Sequence, residues 1–546
     1  MSAVRGFTLP GGVYAGAMNI SRRLLLGGIA GVAMVRLAHG TVGHRLTILH
    51  MNDLHSRHEP VDARALACAA GKPDCYGGTA RLATALSRER AAAEAQGRSV
   101  LLLDAGDQFQ GSLFYTAWKG DVELAVMHAL GTEAMAVGNH EFDNGPANLA
   151  RFVRAARFPT LSANTDAGAD PDLAGLLRPH AMFRRGALQV GVVGLTTQAT
   201  ATGSSPGPHV RFTAPEVALA DSAAALRAQG AGVVLALSHL GVGIDLSLAG
   251  VVPGVDAFVG GHSHTLLSDG EAGAAGPAHQ VVEGPAGRAV VVQAACYGRY
   301  FGRLDLDIGD DGTVLAYGGD CRHVGPELPE DPAVAAIVAS YAARLDVVRR
   351  RVVGSTAAPI GNDGCRIGEC ALGNFVAEAM LATTRGADVA LMNAGGLRTG
   401  LPGGEVTIGD VLTVLPFGNA VATLKLTGTD LRAAFANGVA RAGSGAFPQV
   451  AGVRLEWNPA TRTLTGLSVG GSSGGGSSGF VPVDAERVYT LVTNNFLRGG
   501  GDGYTVLRDK AIDPYDGGSG LDDVVIAALS AASPLAPVTD GRIAVR

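Results

Sequence analysis

"EAMAVGNHEFDNG", residues 133–145, sets a short apolar run against a turn that carries an amide, an imidazole and two carboxylates within five positions. Each buried polar group needs a partner, so such a turn is either solvated or a site. The same pattern recurs along the first half of the chain. "LTILHMNDLH", "VLLLDAGDQFQGS", "PTLSANTD", "VGVVGLTT", "VVLALSHLGVG" and "VDAFVGGHSHT" each run from apolar and β-branched residues into a polar turn. Such runs suit strands buried on both faces, and the intervening "GGTARLATALSRERAAAEAQG" has helical composition. The reading is an α/β layered domain with its polar clusters just after the strands. Outside the carboxyl ends of strands is where α/β sheets place ligands.

At 546 residues the chain exceeds what one hydrophobic core usually supports, so more than one domain is expected. With 43 Lys plus Arg against 49 Asp plus Glu and no basic run, polymeric nucleic acid is excluded as a partner. Near residue 330 the pattern changes: "GPELPEDPAVAAIVASYAARLDVVRRRV" opens on prolines and acids and closes on Arg349, Arg350 and Arg351, which suits a helix dipole and a connector. The expected organisation is a first domain over 45–330, a connecting helix over 331–352 and a second domain over 353–546. Strands of the second domain are read in "ADVALMNAGGLR", "VATLKLTG", "VRLEWN" and "VYTLVTNNF", and "GGSSGGGSSG" at 470–479 reads as a long loop.

Residues 1–40 depart from globular patterning. Arg22 and Arg23 precede an uncharged stretch from Leu24 to Val35, too short to span a bilayer but suited to a signal peptide. "SRRLLL" resembles a twin-arginine export signal, with Met18 as an alternative start and a short anchor helix as the alternative reading. Export implies a periplasmic or secreted protein with no stable membrane insertion after signal removal. Six cysteines agree with an oxidising compartment. Of the roughly 15 connectivities that six cysteines allow, proximity in sequence favours Cys68 with Cys75 and Cys365 with Cys370, leaving Cys296 for Cys321; a zinc ribbon would need CxxC pairs, which are absent.

The strand-end clusters contribute Asp53, His55, Asp107, Asn139, His140, His239, His262 and His264. Carboxylate, imidazole and amide oxygen together suit divalent ions of the zinc, manganese or cobalt type. There are more donors than one tetrahedral ion needs, so two ions sharing a carboxylate is the economical assignment, ~3.5–4 Å apart as in such sites. Asp143, three residues after His140, is placed to accept from its second nitrogen and to favour the protonated ring, while Glu141 reads as structural.

The order DxH, GDxxQG, GNHEFD, a lone strand-end His and GHSH resembles the calcineurin-like metallophosphatases. More narrowly it is similar to the secreted 5′-nucleotidase and UDP-sugar hydrolase family, over nearly the whole mature chain. The resemblance implies a four-layer α/β/β/α metallophosphatase domain followed by a smaller α/β nucleotide-binding domain. It also implies Asp53, His55, Asp107 and His264 around one ion, Asp107, Asn139, His239 and His262 around the other, with His140 as catalytic acid oriented by Asp143. Imidazole at His264, where relatives carry an amide, would hold the first ion more tightly. In the second domain it implies Arg366, Asn393, Arg398, Phe417, Phe496 and Asp502 as a nucleotide clamp: rings stack the base, Asp502 accepts ribose hydroxyls and the arginines take phosphate. A domain rotation then carries the phosphate to the metals. The implied activity is hydrolysis of nucleoside 5′-monophosphates, extending to nucleoside diphosphates or UDP-sugars. A 2′,3′-cyclic nucleotide phosphodiesterase or a thiosulfohydrolase is the enzymatic alternative on the same scaffold. A non-enzymatic nucleotide-binding or adhesion module would lack ligands, and none is missing. Oligomeric state is not legible.

Overall fold

The computed structural model describes residues 34–36, 40–62, 68, 74–470 and 479–546. Its first half is built on two stacked sheets. In one, strands Val42–Met51, Ser99–Asp104, Ala134–Ala136 and Thr160–Leu161 run parallel side by side, extended antiparallel by Tyr300–Gly309 and Val314–His323. In the other, Leu188–Thr196, Val233–His239, Ala257–Gly260 and Gly287–Gln293 are the parallel core, with His180–Arg185 and Gln280–Gly284 as antiparallel edges.

Apolar side chains fill three layers of contact. Leu46, Ile48, Leu101 and Leu103 from the first sheet meet Val190, Val192, Val233 and Leu235 from the second. On its outer face the first sheet carries helices Thr79–Ala95, Asp121–Leu130 and Pro332–Ala342, packed through Leu82, Val126 and Val334. The second sheet carries Pro215–Ala228 and Val242–Val251 through Leu219, Leu226 and Leu248. The arrangement is thus α/β/β/α. The continuous apolar runs of the sequence are explained by it, since each parallel strand is covered on both faces.

The second half is a smaller mixed α/β unit. A five-stranded sheet in the order Pro448–Ala451, Val389–Asn393, Val488–Asn494, Val421–Thr427 and Ile512–Tyr515 packs with helices Ala371–Thr383 and Gly428–Ala440 in one core. The four strands expected there are all present, with Val453–Asn458 in a separate four-stranded sheet. The connector differs from expectation. It forms two helices, Pro332–Ala342 and Leu345–Arg349, the first capped by Asp331, whose carboxylate accepts from Ala333 N and Val334 N. The export-signal reading falls outside the described residues, save Gly40 and Met34–Arg36, a strand paired with Val314–His323. The body of the 470–479 loop also lies outside them. No helix among the described residues is long and apolar enough to cross a membrane.

Disulfides join Cys68 to Cys75 and Cys365 to Cys370 as expected. The third expected pair is not formed: Cys296 and Cys321 are free and buried. Elimination in sequence fails because each thiol has other partners. Cys321, on its strand, donates to Gln293 O at 3.5 Å. Cys296 lies in a turn between the left-handed residues Ala295 and Tyr297, beside His264 and 3.8 Å from an Arg299 nitrogen. Burial pushes the Cys321 thiol up to about 12. Thiol titration with an aromatic disulfide reagent should therefore find neither reactive in the native protein and two reactive after denaturation; none after denaturation would restore the third bridge.

Candidate metal centre

Every strand-end cluster of the sequence arrives at the same edge of the two sheets. Asp53 follows strand Val42–Met51, Asp107 follows Ser99–Asp104, and Asn139 and His140 follow Ala134–Ala136; His239 closes Val233–His239, and His262 and His264 follow Ala257–Gly260. These turns are tight enough that Asp53, His55, Asp107, His262 and His264 all take positive φ, between 50° and 73°. Left-handed backbone at non-glycine residues is unfavourable and collects at functional sites. Two glycines make the packing possible. A Cβ on Gly106, at φ 92°, would meet Gly138 N at 2.7 Å, and one on Gly138 would meet Asp107 Oδ1 at 2.2 Å.

Three overlapping donor groups result: Asp53, His55 and His264; His55, Asp107 and His140; and Asp107, His239 and His262. His55 Nε2 and His264 Nε2 converge at 3.0 Å, with Asp53 Oδ1 3.3 Å from His264 Nε2. On the other side His239 Nε2 faces Asp107 Oδ2 at 3.1 Å, and His262 Nδ1 lies 3.0 Å from Asn139 Oδ1. The Asp107 and His239 atoms are both buried and neither has a hydrogen-bond partner. Orphaned buried donors and acceptors pointing at each other are what a cation between them would satisfy, so this donor set fits two divalent ions.

Backbone groups outside the cluster fix the ring orientations. His239 Nδ1 donates to Ala105 O at 2.6 Å and His55 Nδ1 to Phe109 O at 3.2 Å, which leaves each Nε2 facing the cluster. Burial, then the neighbouring imidazoles His264 and His239 respectively, drives His55 and His262 down to about 3, so both are neutral ligands at neutral pH. Burial also lowers His239, but the Asp107 carboxylate outweighs it and lifts the ring to about 9; ion binding there would release that proton.

His140 differs from the rest. Its Nδ1 donates to Asp143 Oδ2 at 2.6 Å, and Asp143 Oδ1 accepts from Ser204 Oγ at 2.6 Å. Burial opposes the charged ring, but Asp143 and Asp107 outweigh burial and raise it to about 10. Its Nε2 hydrogen-bonds the carbonyl of Gly517. Glu141 is structural, as expected: its carboxylate accepts from the backbone nitrogens of Asp107, Gln108, Phe109 and Gly138 and so ties two metal-bearing turns together.

The candidate clamp residues of the second half form two groups. Asn393 Nδ2 donates to Asp502 Oδ2 at 2.9 Å, Asp502 sits in left-handed backbone at φ 52°, and the half-exposed Phe496 ring lies against Gly501. Arg366 is exposed inside the Cys365–Cys370 loop, its carbonyl held by Gly443 N. The exposed Arg398 guanidinium stands 5.7 Å from the Phe417 ring centre. Gly418, next to Phe417, shares a cleft with His55, His264, Arg57, Tyr297 and Gly517. Sequence reading missed what the second half lends to this cleft. Tyr515 accepts from Asn139 Nδ2 at 2.8 Å, its ring stands 5.2 Å from that of His262, and Arg57 reaches Gly418 O at 3.3 Å. Only the turn residues of "DPYDGG" hinted at a loop there.

A calcineurin-like phosphoesterase model matches residues 46–266, and a 5′-nucleotidase C-terminal domain model matches residues 352–509. A 5′-nucleotidase of Diplobatis ommata is 34% identical over 91% of this chain and 89% of its own length. The chain belongs to the 5′-nucleotidase family. A snake venom 5′-nucleotidase of Gloydius brevicauda is 33% identical over 95% of this chain and 92% of its own. Among solved structures of 5′-nucleotidases, a precursor from Thermus thermophilus is 37% identical with a TM-score of 0.58, covering 92% of this chain and 99% of that one. Members of the 5′-nucleotidase family are phosphoric monoester hydrolases, which agrees with a candidate His and Asp centre. Because Asp107 belongs to two of the three donor groups and is expected to bridge, Asp107→Ala should reduce bound metal from two equivalents to below one by elemental analysis. Retention of two would remove it from the bridging position.

Proposed function

We propose that this protein releases phosphate from nucleoside 5′-monophosphates at a two-ion centre held by Asp53, His55, Asp107, Asn139, His239, His262 and His264. Nucleoside diphosphates and UDP-sugars are further substrates of the same site. The observation that supports this most is Asp107, buried and with an orphaned oxygen, between two converging sets of imidazoles in a chain of the 5′-nucleotidase family. When bound, two divalent ions of the zinc, manganese or cobalt type supply Lewis-acid polarisation of the phosphoryl group and lower the pKa of water.

The chain's own residues supply the rest. His140, kept protonated by Asp143, directs its Nε2 hydrogen at an acceptor; the Gly517 carbonyl takes that bond now, and a phosphoryl or leaving oxygen takes it in the complex. Asn139 Nδ2 donates to Tyr515, which is bonded to Gly517 and leaves Asn139 when that segment withdraws. In the second domain Phe417 and Phe496 stack the base, Asp502, oriented by Asn393, accepts the ribose hydroxyls, and Arg366 and Arg398 balance phosphate charge. The loop at Gly517 has to withdraw before phosphate enters, so substrate delivery and loop withdrawal are one motion of the second domain.

The organisation that fits is a signal over 1–40, a catalytic domain over 45–330, a connector over 331–352 and a substrate domain over 353–546. Two disulfides suit the periplasm or the cell exterior, reached through the "SRRLLL" signal. Phosphate release from AMP, ADP, UDP-glucose and 2′,3′-cyclic AMP, with and without added manganese or zinc, tests the reading. The expected result is metal-dependent hydrolysis favouring AMP, with kcat lower by about 10²–10⁴ in His140→Ala. Silence on all four from folded, metal-loaded protein overturns it. Phe496→Ala should raise KM for AMP about 5- to 150-fold while leaving kcat near wild type, since a stacked base is worth ~1–3 kcal/mol.

A further inference from the structure

Behind the first-ion turn lies a buried carboxylate that no motif of the family pattern includes. Glu123, on helix Asp121–Leu130, is fully buried. Its Oε1 accepts from the Ser56 hydroxyl and lies 3.3 Å from His58 Nε2; its Oε2 has no partner. A buried carboxylate with an unmet oxygen is a destabilising choice for a helix face that otherwise packs Val122, Val126 and Leu130 into the core.

What it holds is the turn that carries two ligands. Asp53, His55 and Ser56 are all left-handed, at φ 51°, 50° and 55°. One side of this turn is tied to the Asp107 turn, by Asp53 N to Gly106 O, His55 N to Asp107 O and Ser56 N to Gln108 O, at 2.9–3.0 Å. The other side has side-chain contacts. Ser112 Oγ donates to Ser56 O at 2.6 Å, and the Ser56 and His58 side chains both close on Glu123. Glu141, in the Asn139 turn, plays a comparable part by accepting from Asp107 N, Gln108 N and Phe109 N of the neighbouring turn and from Gly138 N of its own.

We infer that Glu123 is the positioning residue of the first-ion half, holding the left-handed turn through Ser56 and His58 so that Asp53 and His55 Nε2 converge with His264. It touches neither ion nor substrate. The inference rests on the two-ion reading but is tested by metal binding alone, so its failure is distinguishable from failure of the nucleotidase activity.

The test is a titration of metal-free full chain with cobalt, read by visible absorption and by equilibrium dialysis, for wild type, Glu123→Ala, Glu123→Gln and Ser56→Ala. Partners behind metal ligands typically contribute 10–100-fold to metal affinity. Glu123→Ala should weaken one of the two ions by that factor and leave the other unchanged. Glu123→Gln, whose amide oxygen still accepts from Ser56, should restore most of the loss. Ser56→Ala removes the hydroxyl bonded to Glu123 and to Ser112 Oγ but leaves the helix intact, so it reports even where Glu123→Ala does not fold, and should weaken the same ion. Wild-type affinity for both ions in Ser56→Ala, equal weakening of both ions in Glu123→Ala, or failure of the Gln variant to rescue would each overturn the assignment.

Discussion

Asp107 is the constraint on which the rest of the site depends. It is a carboxylate with no exposed surface, in direct contact with His239 and with its backbone nitrogen bound to Glu141. Desolvating a charge is unfavourable unless opposite charge and hydrogen bonds compensate it. Burial alone would push this carboxyl up, yet His239 and His140 hold it well below the usual carboxylate range. The surrounding imidazoles therefore exist in two populations. His55 and His262 are kept neutral, while His140 is kept charged by its own carboxylate, Asp143. His239, beside the same anion, is also raised, to about 9, so protonation follows the nearest carboxylate rather than the role of the ring.

The fold delivers this arrangement through its strand ends. Parallel strands terminate in register at one edge of each sheet, and the two sheets stack so that both edges face the same space. Short turns with left-handed residues then aim side chains inward. Because the turns are bonded to one another, as at Gly106, Asp107 and Gln108, no ligand is positioned by its own strand alone. Rigidity here comes from backbone exchange between loops rather than from packing.

Local patterns made much of this legible before any coordinates. An apolar run followed by a polar turn announces a parallel strand and its candidate ligand in the same dozen residues, so Asp53, Asp107, Asn139 and His262 could be placed at the strand ends of an α/β layered domain from the chain alone, while the four-layer sandwich came from the family resemblance. The pairing of His140 with Asp143 follows from their spacing. Contacts that depend on distant placement were not legible. The Ser56 bond to Glu123 spans 67 positions and the His140 bond to Gly517 spans 377, with nothing in either neighbourhood to signal it. The cysteines show the same limit: short-range pairs were readable, whereas Cys296 and Cys321 were joined by default and are free.

The Gly517 carbonyl on His140 has a thermodynamic meaning. With His140 in its proposed role as proton donor, a site whose donor is already engaged by its own chain binds by exchange, not by addition. The free energy observed for a phosphate ester is its own contact with the ring less the contact the loop gives up. Departing phosphate meets the same competitor, since the returning loop refills the ring's hydrogen bond as the anion leaves. A tight grip on the reacting oxygen and a low net affinity for product can then coexist in one pocket.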